Sequence, residues 1–264
     1  MSLRSFFDRE LEVLVADPGC AEAHGELLNA LEAGTVRAAE PDGPEWRVNA
    51  WVKRGILAGF RISPVTTQPG GFLDKAAYPA RTFSLADGVR VVPGGTSVRR
   101  GAFLAKGAVL MPPAYVNVGA YVGEGTMVDS HALVGSCAQI GARVHLSAAA
   151  QVGGVLEPAG ARPVIVEDEA FVGGLVGIFE GVRIGRRAVL ASGVVLNGST
   201  VIHDLVEGRA WQGEVPPGAV VVPGSRPARG DYASALGLHV ATPVIVKYRD
   251  DRTDVATALE HALR

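Results

Sequence analysis

Aliphatic residues recur at every sixth position through the middle of the chain. The first run has these members: Val98, Leu104, Leu110, Val116, Val122, Val128, Val134, Ile140, Leu146 and Val152. The segment 153–163 interrupts the spacing, which then returns at Val166, Val172, Ile178, Ile184, Leu190, Leu196 and Ile202. A period of six matches neither the roughly 3.6-residue period of a helix nor the alternation of an ordinary strand. The pattern indicates an internal structural repeat.

A second set of positions supports the repeat. Four residues after each aliphatic of the first run stands a small or β-branched residue: Ala102, Ala108, Ala114, Ala120, Thr126, Ala132, Ala138, Val144 and Ala150. Residues an even number apart on a strand point the same way. Three short strands per turn, each followed by a corner, predict a triangular parallel β-helix with the aliphatics stacked inside. Glycines that directly follow an aliphatic, such as Gly135 and Gly185, are expected where a side chain has no room.

The residues before and after the repeat differ from it. Helical patterns predict helices at 5–17, 24–34 and 45–62, and the Pro- and Gly-rich segment 64–83 is expected to be a linker. The stretch 233–251 predicts two closing strands, and Thr253 starts a predicted terminal helix.

Together these patterns give a mainly β fold in three parts. Residues 1–85 form an N-terminal helical domain and linker, and residues 86–222 form the β-helix. Residues 223–264 form a small β/α cap over the end of the solenoid, where open strand edges need cover.

Composition excludes several classes of protein. With 25 Lys and Arg against 27 Asp and Glu, there is no basic field to attract nucleic acid. No apolar run is long enough to span a membrane. Cys20 and Cys137 are too few for a disulfide framework, and no Cys/His cluster suggests a metal. Since the first residues lack the apolar core of a signal peptide, a cytoplasmic location is expected.

Several stretches of the chain are similar to one family. They are LLNALEAGTVRAAE (27–40), VNAWVKRGILAGFRI (48–62), VRVVPGGTSVRRGAFLAKGAVLMPPAYVNVGAYVGEGTMVD (89–129), VGSCAQIGARVHLS (134–147), GGVLEP (153–158) and PVIVEDEAFVG (163–173). These runs resemble the tetrahydrodipicolinate N-succinyltransferases, hexapeptide-repeat acyltransferases of the lysine and diaminopimelate pathway.

The resemblance implies a left-handed parallel β-helix and a homotrimer with active sites between subunits. It also implies succinyl-CoA as co-substrate, a small amino dicarboxylate as acceptor, and no metal. The acceptor amine attacks the thioester directly, which requires a proton acceptor and donors for the oxyanion. A dicarboxylate is bound best by guanidinium groups.

Carried onto this chain, the resemblance assigns two polar residues to the substrate. Asp129 matches the family's acid in the MVD run, which contacts the amino-acid substrate and is linked to catalysis. Arg90, in RVVP, matches the substrate-binding arginine. His131 stands where the family carries Trp. If it shares a strand face with Asp129 it can serve as the base, the alternative being a solvent-facing histidine. Cys137 is expected to point outward into a groove, without a nucleophilic role.

CoA is expected to be held near the C-terminal end of the solenoid. Gly185, Ser225, Arg226 and Lys247 are the predicted cofactor-binding residues, since they fall in regions that match the family's CoA-contacting part. The alternative for the charged residues is a solvated side chain at the surface.

The chain departs from the family at FVGGLVGIFEG (171–181), where the family reads close to FIGARSEVVEG. The family's candidate catalytic glutamate is Gly177 here, and the adjoining Arg and Ser are Leu175 and Val176. The later glutamate of the actinobacterial branch aligns with Ala191. These changes make the pocket less polar, which weakens recognition of a diacid.

Three functions remain open from the sequence. The first is the N-succinyltransferase of the lysine pathway. The second is a diverged N-acyltransferase, with succinyl- or acetyl-CoA, acting on another amino acid or amine in specialised metabolism; Gly177 and His131 favour it. The third is a non-catalytic homologue that binds a ligand.

Overall fold

The computed structural model describes residues 1–250, and the helix predicted from Thr253 lies outside them. Its first elements are α1 (Leu3–Phe7), α2 (Leu11–Ala16), α3 (Cys20–Glu32), β1 (Ala39–Asp42), β2 (Glu45–Val48), α4 (Ala50–Ile62), β3 (Val65–Gln68) and β4 (Phe72–Lys75). The strands form two antiparallel hairpins, β1–β2 and β3–β4. Among these described residues no helix is long and apolar enough to cross a bilayer.

The single helix predicted at 5–17 is two helices, α1 and α2. Arg9 lies between them, and its side chain bonds to both flanks. Its Nε donates to the carbonyl oxygen of Phe6 at 2.9 Å, and its Nη1 donates to Asp17 at 2.8 Å. These bonds stabilise a change of direction that the hydrophobic spacing does not reveal.

Glycines explain two further departures from the predicted helices and linker. Asp42 pairs with Glu45 across a two-residue turn in which Gly43 has a φ of +63°. A hairpin forms there, so the helix predicted from residue 45 begins only at Ala50. The expected linker 64–83 contains the hairpin β3–β4, which turns at two further glycines of positive φ.

Helices α3 and α4 pack closely around a buried histidine. A Cβ on Gly59 of α4 would lie 2.0 Å from Nε2 of His24 on α3, so only glycine fits. The hydroxyl of Tyr78 donates to the carbonyl oxygen of Ile56 at 2.7 Å and lies 2.9 Å from Nε2 of His24. Since that hydroxyl proton is already used, Nε2 must carry the proton of the second bond. Burial lowers the pKa of His24 to about 4.

The middle of the chain is a ladder of two-residue strands. They are β5 (Arg90–Val91), β6 (Ser97–Val98), β7 (Phe103–Leu104), β8 (Val109–Leu110), β9 (Tyr115–Val116), β10 (Tyr121–Val122), β11 (Met127–Val128), β12 (Leu133–Val134), β13 (Gln139–Ile140), β14 (His145–Leu146), β15 (Gln151–Val152), β16 (Ile165–Val166), β17 (Phe171–Val172), β18 (Gly177–Ile178), β19 (Arg183–Ile184), β20 (Val189–Leu190) and β21 (Val195–Leu196). From β6 to β21 the second residue of each strand is the periodic aliphatic, exposed by 8% or less. These aliphatics form one core cluster, as the sequence predicted.

The strands lie in three parallel sheets, which are the faces of a triangular solenoid. The first face contains β5, β8, β11, β14, β17 and β20; the second contains β6, β9, β12, β15, β18 and β21; the third contains β7, β10, β13, β16 and β19. The first edge joins the first face to the second, the second edge joins the second to the third, and the third edge joins the third to the first.

The solenoid ends in longer strands. They are β22 (Val201–Asp204), β23 (Arg209–Gln212), β24 (Glu214–Val215), β25 (Ala219–Pro227) and β26 (His239–Tyr248), with a short helix α5 (Asp231–Ala235) before the last. Strand β24 extends the third face, and β25 and β26 form an antiparallel ribbon that extends the first. Of the two closing strands predicted at 233–251, the described part contains one, since residues 231–235 are helical.

Close stacking of the coils explains the glycines that follow core aliphatics. A Cβ on Gly135 would lie 2.2 Å from the backbone nitrogen of Gly154 in the next coil. At Gly185 it would lie 2.6 Å from the nitrogen of Pro217. The expectation that no side chain fits there is confirmed.

The helical domain packs on the second edge and the third face. A Cβ on Gly101 would lie 2.7 Å from Leu28, and one on Gly119 would lie 2.9 Å from Ile56. Cys137, on the same edge, is fully buried in the helical core cluster. The prediction that Cys137 points outward into a groove is therefore wrong. Burial raises the pKa of its thiol to about 12, which makes it unreactive.

The long loop between β15 and β16 is tied to the same domain. Leu156 packs against the helical core, and Nζ of the fully buried Lys53 donates to the carbonyl oxygen of Ala161 at 2.5 Å. The helical domain thus covers one side of the solenoid, while exposed side chains such as Leu175 and Val195 remain on the other.

Candidate active site

Asp129 lies on the first edge, directly after β11, and is half-buried. Its amide donates to the carbonyl oxygen of Leu146 at 2.9 Å, which fixes its backbone to the next coil. Its Oδ1 accepts the amide of Ser130 at 2.7 Å. Within residues 1–250, Oδ2 receives no hydrogen bond. A rigidly held carboxylate with one unused oxygen is suited to bind an amine.

His131 lies at a corner and not on a strand. Strand β11 ends at Val128, and His131 has a φ of +63°. Since alternation along a strand does not continue through such a turn, the prediction that His131 shares a strand face with Asp129 is wrong. The His131 ring is exposed, and no hydrogen bond joins it to Asp129 in the described chain. Its role as a base stays a prediction.

Arg90 begins the first face, on β5, and is exposed. It pairs with Val109, which in turn pairs with Met127 of β11. Two strand spacings place Arg90 roughly 10 Å from the strand that leads into Asp129. Both residues therefore belong to the same side of the solenoid, but within the described single chain no hydrogen bond or ion pair connects them.

The second face carries a feature that the sequence alone did not reveal. The ring of Phe179 folds back over two glycines in neighbouring coils. A Cβ on Gly177 would lie 2.6 Å from this ring, and a Cβ on Gly153 would lie 2.7 Å from it. The ring therefore occupies the space that a longer side chain at position 177 would need. The signal was present in FVGGLVGIFEG, which has Phe179 where the family run has Val.

Gln151 and Leu175 define the rest of this surface. Nε2 of Gln151 donates to the carbonyl oxygens of His131 at 3.1 Å and Ala149 at 3.2 Å, which ties two corners of the first edge together. Leu175 is the next corner along that edge and is 71% exposed. The edge thus changes from polar at Asp129 to apolar at Leu175 within two coils.

Glu180, which matches the family's second glutamate, lies away from this surface. It lies in the turn after β18 and has a φ of +53°. Its Oε2 accepts the amide of Gly198 at 3.2 Å, so it serves the stacking of the coils at the second edge.

The residues predicted to hold CoA do not form one cluster in a single chain. Gly185 lies on the third edge, and Ser225 and Arg226 lie on the outer part of β25. Lys247 pairs with Val220, five residues along β25 from Ser225, which is roughly 17 Å.

The polar groups of these residues have partners within the chain. Ser225 Oγ lies 3.2 Å from Nδ1 of His239, and Lys247 donates to Asp250 at 3.1 Å. No group of three or more His, Cys, Asp or Glu side chains in residues 1–250 could hold a metal.

Comparisons with known proteins identify relatives over nearly the whole chain. A family model described as the N-terminal part of tetrahydrodipicolinate N-succinyltransferase matches residues 6–62. A second, described as the hexapeptide repeat of succinyl-transferase, matches residues 163–197.

Two full-length relatives carry the name 2,3,4,5-tetrahydropyridine-2,6-dicarboxylate N-succinyltransferase. The one from Zymomonas mobilis is 48% identical, over 92% of this chain and 89% of the relative. The one from Bradyrhizobium diazoefficiens is 44% identical, over 100% of this chain and 97% of the relative.

Among solved structures, a Campylobacter jejuni protein assigned as a 2,3,4,5-tetrahydropyridine-2-carboxylate N-succinyltransferase superposes with a TM-score of 0.58. It shares 16% identity, and the match covers 89% of this chain and 64% of that one. This likeness bears on the fold alone. The predicted fold class, a left-handed parallel β-helix of hexapeptide repeats, is confirmed.

Proposed function

This chain belongs to the tetrahydrodipicolinate N-succinyltransferase family, and from that premise we propose that it transfers the succinyl group of succinyl-CoA to the amine of an amino dicarboxylate. The observation that carries the proposal is Asp129, which lies in a family-specific run and offers an unused carboxylate oxygen at an open edge. Residence in the cytoplasm is part of the same proposal.

The chemistry follows from this geometry. The acceptor nitrogen attacks the thioester carbonyl carbon, a tetrahedral oxyanion forms, and the CoA thiolate leaves. Oδ2 of Asp129 accepts a hydrogen bond from the attacking amine, orients its lone pair and takes up the proton that the nitrogen loses, which then passes to the departing thiolate. Arg90 holds a carboxylate of the acceptor. Backbone amides at the corners supply donors for the oxyanion.

A homotrimer completes the site in this proposal. The third face is covered by the chain's own helical domain, whereas Tyr115 and Val195 on the second face are 36% and 53% exposed. A second copy packed against the open side would bury these side chains. It would also bring its own predicted cofactor-binding residues to the groove between the two subunits, where CoA would lie. These residues are Gly185, Ser225, Arg226 and Lys247.

A second candidate function is favoured by one observation. The ring of Phe179 and the exposed Leu175 make the surface around Gly177 apolar. An apolar wall discriminates against a second carboxylate, because that group would lose its water without gaining a partner. An N-acyltransferase for a less polar amine fits this wall better than one for a dicarboxylate.

Thiol-release turnover separates the two candidates. Succinyl-CoA and acetyl-CoA are each offered with tetrahydrodipicolinate, 2-aminopimelate and a panel of other amino acids. The first proposal expects the highest kcat/KM with succinyl-CoA and a dicarboxylate acceptor. An inert dicarboxylate beside an active monocarboxylate amine would replace it with the second, and no turnover with any pair would reject both.

A further inference from the structure

A cleft of about 540 Å³ lies at the third edge and third face of the solenoid, away from Asp129 on the first edge. It opens between the hairpin β1–β2 and the third edge. The residues that matter for its chemistry are Arg37 and Trp46 on the side of the helical domain, and Tyr121, Glu124 and Asp168 on the solenoid. Gly123 and Gly141 also line it, so no side chains from those positions fill the space.

The guanidinium of Arg37 is held rigidly with part of its donor capacity unused. Its Cζ lies 3.7 Å from the centre of the Tyr121 ring, on which the guanidinium stacks, and 5.4 Å from the centre of the Trp46 ring. Its Nε donates to Oε1 of Gln139 at 2.9 Å. Its Nη nitrogens make no hydrogen bond with the part of the chain that the structure describes. A fixed guanidinium of this kind binds a carboxylate in a fork-like geometry.

The neighbouring charges are already engaged. Glu167 accepts from Nε1 of Trp46 at 3.0 Å and from the guanidinium of Arg183 at 2.8 Å. Arg186 donates to Glu169 at 2.6 Å. These groups line the cleft as ion pairs, so their charges are balanced within the chain, although Arg186 uses only one of its side-chain nitrogens there.

Two carboxylates remain. One oxygen of Asp168 accepts the amide of Ala142 at 2.8 Å, and its other oxygen has no donor within residues 1–250. Glu124 is exposed, and its side chain makes no hydrogen bond in that range. They occupy equivalent positions two coils apart, roughly 10 Å along the third edge, with the small side chain of Ala142 between them.

The charged groups that line the cleft without an ion-pair partner in residues 1–250 are thus one guanidinium and two carboxylates. A phosphate or nucleotide would meet both carboxylates, and a simple diamine would leave the guanidinium unmatched. We propose that the cleft binds a basic α-amino acid. Its carboxylate lies on Arg37 and its α-ammonium on Asp168. Its side-chain cation reaches Glu124, and the aliphatic stem packs on the aromatic rings.

Within one chain the cleft is separate from Asp129, because Asp129 lies on the first edge and the cleft on the third. Isothermal titration calorimetry with the full chain tests it, using lysine, ornithine, norleucine and glutamate as probes. Lysine and ornithine should bind saturably. Norleucine, which lacks the second ammonium, should bind about tenfold more weakly, and so should glutamate.

Variants locate the binding. Glu124→Gln should weaken lysine about tenfold and leave norleucine unchanged, whereas Asp168→Asn should weaken both. The matched control is Glu26→Gln, an exposed glutamate on α3, which should change neither. Asp129→Asn should keep the affinity for lysine.

Three results would overturn the proposal. They are the absence of saturable heat with lysine, an equal effect of Glu124→Gln and Glu26→Gln, or loss of lysine binding in Asp129→Asn. The last would mean that the amino acid occupies the acyl-transfer site. Glu124 is exposed, so its variant is expected to fold, and circular dichroism checks that it does.

Discussion

The third face and the second face of the solenoid share one backbone repeat and differ in what lies outside it. On the third face, Tyr121 is stacked between Phe103 and the guanidinium of Arg37, and the helical domain covers it. On the second face, Tyr115 occupies the same strand position one unit earlier and is 36% exposed. The inward aliphatics fix the coil, and the outward positions decide whether a face packs against the helical domain or stays open for acyl transfer.

The difference between the open and the covered side predicts two kinds of residue, those that affect turnover and those that affect stability. Removal of exposed or half-buried side chains on the open side, at the first edge and second face, should alter turnover and leave unfolding nearly unchanged. Changes on the covered side, at the second edge and third face, should do the reverse.

The largest effect is expected at Asp129. Replacement by Asn keeps the size and the bond to Ser130 but removes the charge that orients the amine, so kcat should fall roughly 10³-fold. The melting temperature should change little, because the residue is half-buried at an edge. Steady-state kinetics measures the loss, with Asp231→Asn on α5 as the control. A turnover within threefold of wild type would remove Asp129 from the site.

His24 tests the covered side through pH. Burial lowers its pKa to about 4, against 6.5 for an exposed histidine. Below pH 6.5 the unfolded chain binds a proton that the folded chain refuses, so stability falls as the pH drops and stops falling below about pH 4. The difference between pH 7 and pH 4 should be about 3 kcal/mol.

Urea titration of wild type and His24→Gln measures this. Gln can still donate to Tyr78 but does not titrate, so the variant should lose that part of the pH dependence. Identical slopes for the two proteins would contradict the assignment. Turnover at pH 7 should be the same in both, since His24 lies on the covered side.

Tyr121 and Tyr115 compare the two faces directly. Tyr121→Ala removes a ring that stacks on Phe103, with the two ring centroids 4.7 Å apart, and that also contacts Arg37. This change should lower the free energy of unfolding by about 2 kcal/mol. Tyr115→Ala should lower the free energy of unfolding of the separated subunit by less than about 0.5 kcal/mol. In the proposed trimer it should instead weaken subunit association, which analytical ultracentrifugation detects. Equal losses of stability would mean that the two faces are not distinct.

The sequence predicted the solenoid well because its cause is periodic. Each strand buries one aliphatic, so the positions of Val128, Val134 and Ile140 alone specify the coil. The prediction failed where hydrogen bonds of a side chain decide the structure. Arg9 breaks a helix by bonding to Phe6 and Asp17, which no hydrophobic spacing encodes.

For the candidate site, the family runs predict Asp129 and Arg90, and that assignment stays a prediction, whereas the strand rule misplaced two neighbours. His131 and Cys137 both have positive φ at corners, although neither is a glycine. The hydrogen bonds between coils stabilise that conformation, as with the amide of Cys137 on the carbonyl oxygen of Val118 at 3.0 Å. Such contacts join residues a whole coil apart, so the local sequence pattern does not predict them.

The smallest effect, and the one that sharpens the view of the open side most, concerns Gly177. Gly177→Glu places a Cβ 2.6 Å from the Phe179 ring, so it should lose about 1–2 kcal/mol of stability and gain no activity. Phe179→Val removes the obstruction, and in the double variant Gly177→Glu/Phe179→Val both stability and turnover of the dicarboxylate acceptor should rise above those of Gly177→Glu. Thermal unfolding and the thiol-release assay follow the two properties, with Phe179→Val alone as the reference. If the glutamate is tolerated without the second change, the ring does not occupy that space. The apolar wall would then lose its structural basis as a determinant of specificity.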